Sequence, residues 1–131
     1  MVGFDGAILN TIDSGENWSQ QNSPTSEYLY SVYFANQNMG WAVGDEGIIL
    51  NTTNGGITWA YQISGTNNLL SSVYFADQNI GWVAGAGTIL KTTDSGDNWI
   101  DYSPAGSNNF KSVHFVDYNY GSGGCVHVAS L

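Results

Sequence analysis

The chain repeats itself with a period of about 40 residues, and a fixed period of that length decides an architecture before any local pattern does. Trp18, Trp59 and Trp99 recur at spacings of 41 and 40. They close the segments Thr11-Ile12-Asp13-Ser14-Gly15-Glu16-Asn17-Trp18, Thr52-Thr53-Asn54-Gly55-Gly56-Ile57-Thr58-Trp59 and Thr92-Thr93-Asp94-Ser95-Gly96-Asp97-Asn98-Trp99. A second block keeps step. Ser31-Val32-Tyr33-Phe34, followed by Gly40-Trp41, returns as Ser72-Val73-Tyr74-Phe75 with Gly81-Trp82, then as Ser112-Val113-His114-Phe115 with Gly121-Ser122.

Within one unit, β-branched and aromatic residues come in short runs separated by Gly, Asn, Asp and Ser clusters, the pattern of strands joined by tight turns. In the middle copy the strands are expected near residues 28–35, 40–44, 48–52 and 58–63, with turns at Asn36 to Met39, Asp45 to Gly47 and Asn54 to Ile57. Period-2 alternation puts Val32 and Phe34 on one face and Ser31 and Tyr33 on the other. No helix is needed. A four-stranded meander of this length that recurs reads as a β-propeller blade, so the fold class is all-β, with three blades' worth of four-stranded antiparallel sheet per chain.

The ends of the chain do not coincide with the ends of a blade. Val2-Gly3-Phe4-Asp5-Gly6-Ala7-Ile8-Leu9-Asn10-Thr11 aligns with Val43-Gly44-Asp45-Glu46-Gly47-Ile48-Ile49-Leu50-Asn51-Thr52, the third strand of a unit. Residues 109–124 supply only first and second strands. The units are therefore 23–63, 64–104 and a split blade made of 1–22 with 109–124. Half-blades leave unpaired edges. Three blades closing alone would each sweep about 120°, whereas propellers of 4–8 blades use about 45–90° apiece. The economical expectation is a homodimer, in which the half-blades of two chains complete each other and give six blades. Nine blades from three chains, or an incomplete fragment of a longer repeat gene without a function of its own, are the alternatives. Residues 125–131 break the repeat and either extend the second strand or fray.

The Thr-x-Asp-Ser-Gly-x-Asn-Trp segments resemble the Asp-box of bacterial neuraminidase repeats, a hairpin turn between the third and fourth strands of a blade. Asp13, Asn54 and Asp94 are expected to accept hydrogen bonds from turn amides, Gly15, Gly56 and Gly96 to take positive φ, and Trp18, Trp59 and Trp99 to fill the gap between blades. These are structural roles. The longer pattern Gly40-Trp41-Ala42-Val43-Gly44 with Gly47-Ile48-Ile49-Leu50-Asn51-Thr52 is similar to the repeats of photosystem II assembly and stability factors and their bacterial relatives, over roughly residues 2–124. That resemblance implies a propeller used as a binding or assembly platform, often outside the cytoplasm. It also implies a protein partner recognised in part through an arginine patch.

Composition narrows the function. With 11 acidic residues, two lysines (Lys91 and Lys111) and no arginine, the chain carries a formal charge of −9, which excludes neutralising a run of phosphates or an anionic membrane surface. Nucleic acid and membrane are not expected partners. A sialidase needs arginines to grip the substrate carboxylate by bidentate hydrogen bonds, and none is present. Other glycosidases need only paired carboxylates, but the acids here fall mostly in turns. His114 and His127 have no companion at metal-ligand spacing, and Cys125 is the sole cysteine. No catalytic residue, metal or cofactor is therefore expected. The first residues lack the basic and apolar segments of a secretory signal, and the compartment is not legible.

What remains is a binding module. The Asp45 to Gly47 turn and the inter-blade loops near 23–28, 64–70 and 104–110 fall opposite the boxes and are rich in Asn, Ser, Tyr and Glu, which suits a polar glycan or a loop of another protein. Asp5, Asp45 and Glu46 would form a negative rim at the channel mouth. Tyr33, Tyr74 and His114 hold one repeat position on the innermost strands and complete the candidate ligand face.

Overall fold

The computed structural model describes residues 1–106, 108–116 and 125–130, with only the backbone described for 115–116 and 125–130. The strands are β1 (Ile8–Asn10), β2 (Ser19–Gln21), β3 (Leu29–Phe34), β4 (Gly40–Gly44), β5 (Ile49–Thr52) and β6 (Ala60–Gln62), then β7 (Leu70–Phe75), β8 (Gly81–Gly85), β9 (Thr88–Thr92), β10 (Ile100–Asp101), β11 (Phe110–Val116) and β12 (Cys125–Ser130). Two antiparallel four-stranded meanders, β3-β4-β5-β6 and β7-β8-β9-β10, stand between a β1-β2 pair and a β11-β12 pair. Among the described residues the only helical pieces are 3₁₀ turns at Phe4–Gly6 and Asp45–Gly47.

The middle unit follows the expected strand limits closely except at its last strand, which begins at Ala60 because the box turn holds the chain through Thr58. The shift in spacing from 41 to 40 falls in one turn. Asp45-Glu46-Gly47 connects β4 to β5, whereas Ala86-Gly87 alone connects β8 to β9. At the front, Val2 bridges to Ile8 as Val43 pairs with Ile49, so the first pair of strands carries a stub of the strand before it. At the far end β11 pairs with Cys125–Ser130. The second strand expected before residue 124 would lie at 117–124, outside the described residues.

Blades stack face to face through the period-2 alternation of their strands. Trp41, Val43 and Ile49 on one face of the first blade pack with Leu70, Val73, Phe75, Val83 and Leu90 of the next. On the opposite face, Ala42, Leu29 and Leu50 meet Ile8 and Trp59. Trp82 and Ala84 in turn meet Phe110 and Val113. β4 and β8 are buried along their whole length, as strands covered on both sides must be. Each fully buried side chain of this size contributes roughly 1.5–3 kcal/mol.

The boxes are held by a network that the residue types announce. In each, a glycine N–H donates to a threonine hydroxyl: Gly15 to Thr11 at 2.9 Å, Gly56 to Thr52 at 2.9 Å and Gly96 to Thr92 at 2.8 Å. The same hydroxyl donates to Oδ1 of Asp13, Asn54 or Asp94, which also accepts the backbone N–H four residues on. The exchange of Asp for Asn54 is matched by a second exchange. Asn17 and Asn98 donate their amides to Asp13 and Asp94, whereas Asn54 donates its own amide to the Thr58 hydroxyl. Donor and acceptor swap places and every group stays paired.

These bonds to the ionised form depress the carboxyls. Asn17, through its backbone and side chain, and Thr11 hold Asp13 down to about 2, and Asn98 and Thr92 lower Asp94 likewise. A group whose folded pKa is depressed stabilises the fold above its unfolded value and loses that contribution as pH falls through the folded one. Thermal melts are therefore expected to weaken progressively from the ordinary carboxylate range down toward pH 2. The paired exchange Asp94→Asn with Asn98→Thr, which copies the middle box, should remove part of that loss. An unchanged acid profile in this variant would show that the box carboxylate plays no part in it.

Between blades the boxes form a latch that the repeat pattern alone does not reveal. Gln62 of β6 donates to the Ser95 carbonyl at 2.9 Å and accepts the Trp99 indole N–H at 3.2 Å. Gln21 of β2 makes the equivalent, longer pair with Gly55 and Trp59, both at 3.4 Å. Trp18 turns instead to the carbonyl of Gly15 in its own box, and stays 45% exposed against 8% for Trp59.

Candidate functional site

The inner strands β3, β7 and β11 share an irregularity near their start. Register shifts between Leu29 and Ser31, Leu70 and Ser72, and Phe110 and Ser112 leave Tyr30, Ser71 and Lys111 as bulged residues at one repeat position. A bulge re-aims the extra side chain away from the ladder. Here the three, with Leu69, Ala86, Asn109 and Phe110, line a cavity of about 420 Å³, within the size range of small-ligand sites. Its walls are mixed: Leu69 and Phe110 are apolar, Lys111 supplies one of the chain's two cations, and the Ser71 hydroxyl lies 2.7 Å from the Phe110 carbonyl, to which it donates.

The 3₁₀ turns lie at the same end of the strands. Leu29 pairs with Gly44, so Asp45 follows directly and its N–H donates to the Tyr28 carbonyl at 2.9 Å. The Tyr30 hydroxyl donates to Asp45 Oδ2 at 3.1 Å. Burial first, and Asp45 second, raise the Tyr30 phenol above its ordinary value. Asp5 and Glu46, each with φ of 53°, sit exposed at the crests of the two turns. Across the blade junction Phe4 packs edge-on against Tyr28 at 4.7 Å. Of these acids, Asp45 borders the cavity that contains Lys111, through its bond to Tyr30.

Tyr33, Tyr74 and His114 are brought together, but elsewhere. They form a ladder from blade to blade, with Tyr33 and Tyr74 centred 5.0 Å apart and Tyr74 and His114 5.1 Å apart, tilted by 56° and 59°. Tyr33 pairs with Trp41, near the β3–β4 turn at the box end of the strand. The candidate ligand face therefore divides into two places at opposite ends of the inner strands: an acidic mouth and an aromatic ladder. Burial, then Tyr74, raises the Tyr33 phenol. Among the described residues no group of three His, Cys, Asp or Glu side chains is placed to hold a metal ion, and Lys91 lies 5.6 Å over the Trp82 ring, away from the mouth.

Tyr30, Ser71 and Lys111 were not singled out by the sequence, although a signal exists. They are three chemically different residues at one position, flanked by Leu or Phe and by an unvarying Ser. A site that varies between otherwise matched repeats is one the shared fold does not constrain.

Comparison with known proteins follows the same lines. The model of a family described as photosynthesis system II assembly factor YCF48 matches residues 10–107. A solved structure described as YCF48 bound to D1 peptide is 25% identical with a TM-score of 0.72, covering 83% of this chain and 37% of that one. YCF48 from Cyanidioschyzon merolae superposes with a TM-score of 0.75 at 18% identity, covering 95% of this chain and 42% of that one. The chain thus spans about two fifths of these solved relatives. No curated protein sequence matches significantly.

Proposed function

The chain belongs to the family of photosystem II assembly factor YCF48, and on that premise we propose that it is a non-enzymatic binding platform that takes a protein segment at the mouth formed by its inner strands. The family is one of non-enzymatic assembly factors, and a solved relative is described as bound to a peptide. The observation that carries the reading is the mixed cavity of about 420 Å³ built on the bulged Tyr30, Ser71 and Lys111. Asp45 stands beside it through its bond to Tyr30, and the chain as a whole carries −9. A segment of neutral to positive charge suits such a mouth, through long-range attraction that added salt weakens. The test is calorimetry against peptide pools sorted by net charge. Cationic pools are expected to bind more tightly at low salt, and Tyr30→Ala with Asp45→Asn to weaken them. Tight binding of anionic peptides or of an anionic glycan would overturn the reading.

The same reading includes completion of the ring by a second copy, the half-blades pairing in trans to give six blades. Light scattering is expected to return one sharp mass of twice the chain. A monomer, or a spread of open oligomers, would remove that part of the proposal and leave the binding mouth to be tested by itself.

A further inference from the structure

Asn54-Gly55 is the only Asn-Gly step in the sequence, and it stands in the middle box where the other two boxes carry Asp13-Ser14 and Asp94-Ser95. An asparagine followed by glycine is the pair whose side chain reacts most readily with its own backbone, because no Cβ crowds the second residue's amide nitrogen. That nitrogen attacks Cγ of the asparagine. A C–N bond forms to close a succinimide ring, the Cγ–Nδ2 bond breaks, and ammonia leaves with the proton of the attacking N–H. Water then opens the ring, returning a proton to the nitrogen and leaving a carboxyl. Attack at Cγ gives aspartate, and attack at the main-chain carbonyl gives isoaspartate, with an extra methylene in the backbone.

The fold restrains both reacting groups. The Gly55 N–H donates to the Asn38 carbonyl at 2.8 Å. The Asn54 carboxamide is held by three bonds: Oδ1 accepts the Thr52 hydroxyl and the Thr58 N–H, both at 3.0 Å, and Nδ2 donates to the Thr58 hydroxyl at 2.8 Å. Ring closure cannot keep these bonds, so it requires the box to open. The fold also holds the product in two places already. Asp13 and Asp94 accept on Oδ1 the same hydroxyl and N–H that Asn54 does, and on Oδ2 the amide of Asn17 or Asn98. At the middle box Thr58 can take that part, since a hydroxyl donates as well as accepts. Isoaspartate has no such fit, because its extra methylene displaces the turn amides from the groups they meet.

We propose that Asn54 is a modification site that the folded box keeps closed: it converts to aspartate when the box opens, and the box re-forms around the product. The change runs one way. At Asp13 and Asp94 the bonds that hold the carboxyl ionised also remove the electrophile that ring closure needs, and an aspartate at 54 with the same partners shares that protection. Each chain thus carries a record of whether its middle box has been opened, written as one negative charge added to its −9.

The test incubates the intact chain in mildly alkaline buffer, folded and in unfolding guanidinium, and reads residue 54 by peptide mass mapping. Conversion is expected to run at least about tenfold faster in guanidinium, because a reaction that needs an open site follows the population of that site. Gly55→Ser copies the third box, where Ser95 takes φ of 62° and donates its hydroxyl to the carbonyl of Gln78, the repeat equivalent of Gln37. This variant is expected to fold and to lose most of the conversion in guanidinium. Asn54→Asp is expected to melt within about 2 °C of the unaltered chain at neutral pH. After refolding, aspartyl chains should elute with the folded protein, and isoaspartyl chains, marked by an isoaspartate methyltransferase, should not. Absence of conversion in guanidinium, or undiminished conversion of Gly55→Ser there, overturns the site. Equal rates in the two buffers overturn its closure by the fold. An Asn54→Asp chain that melts far lower, or isoaspartyl chains that elute as folded, overturn re-formation around aspartate.

Discussion

Phe75→Ala is expected to cost about 3–5 kcal/mol, while Phe34→Ala, the same substitution one repeat earlier, costs under about 1 kcal/mol. The two residues have the same neighbours in sequence, Val-Tyr-Phe-Ala in both cases. Phe75 is fully buried, sandwiched between Gly81 and the Trp41 ring, and its loss leaves a cavity that the rigid sheets on either side cannot close. Phe34 has water on one face, and its removal only enlarges an opening already there. Urea titration at one fixed protein concentration reads the difference as a shift in midpoint at unchanged slope. Equal losses would mean that Phe34 is as covered in solution as Phe75.

Gly47→Ala should be nearly as damaging, at about 3 kcal/mol or more, and Gly65→Ala should cost only about 1 kcal/mol. Both glycines have positive φ, 69° and 79°, so both substitutions carry the strain of placing an L side chain in the left-handed region. The surroundings separate them. A methyl on Gly47 would be driven into the Thr66 carbonyl oxygen in the loop leading to the next blade, whereas nothing lies within 4 Å of the corresponding point on Gly65. The contact is a feature of the array, since Gly6 meets the Thr25 carbonyl in the same way one blade earlier. Thermal melts of the two variants decide it. Similar losses would assign the whole effect to backbone conformation and none to the junction between blades.

Much of the fold is legible because the repeat reports itself three times. Strand limits, turn positions and the box residues follow from spacing and residue type, and the Thr-Asp-Asn bonding of the boxes is local, within four residues. The site was legible only in part. Asp5, Asp45 and Glu46 lie on the turns where their spacing puts them, but Tyr33, Tyr74 and His114 are several residues along the strand at the other end, because a strand separates its residues by length as well as by face. The bulge that re-aims Tyr30, Ser71 and Lys111 depends on register with the neighbouring strand, which no single strand's alternation contains.

By itself the amino-acid order settled that this is a β meander repeated with a constant period, because pleat alternation and turn chemistry act between residues close in the chain. It settled too that no arginine is present to clamp an anionic group. Which of two identically spelled phenylalanines is buried was decided only by tertiary structure. Burial depends on whether a neighbouring sheet lies against the ring, and that neighbour is contributed by a different part of the chain.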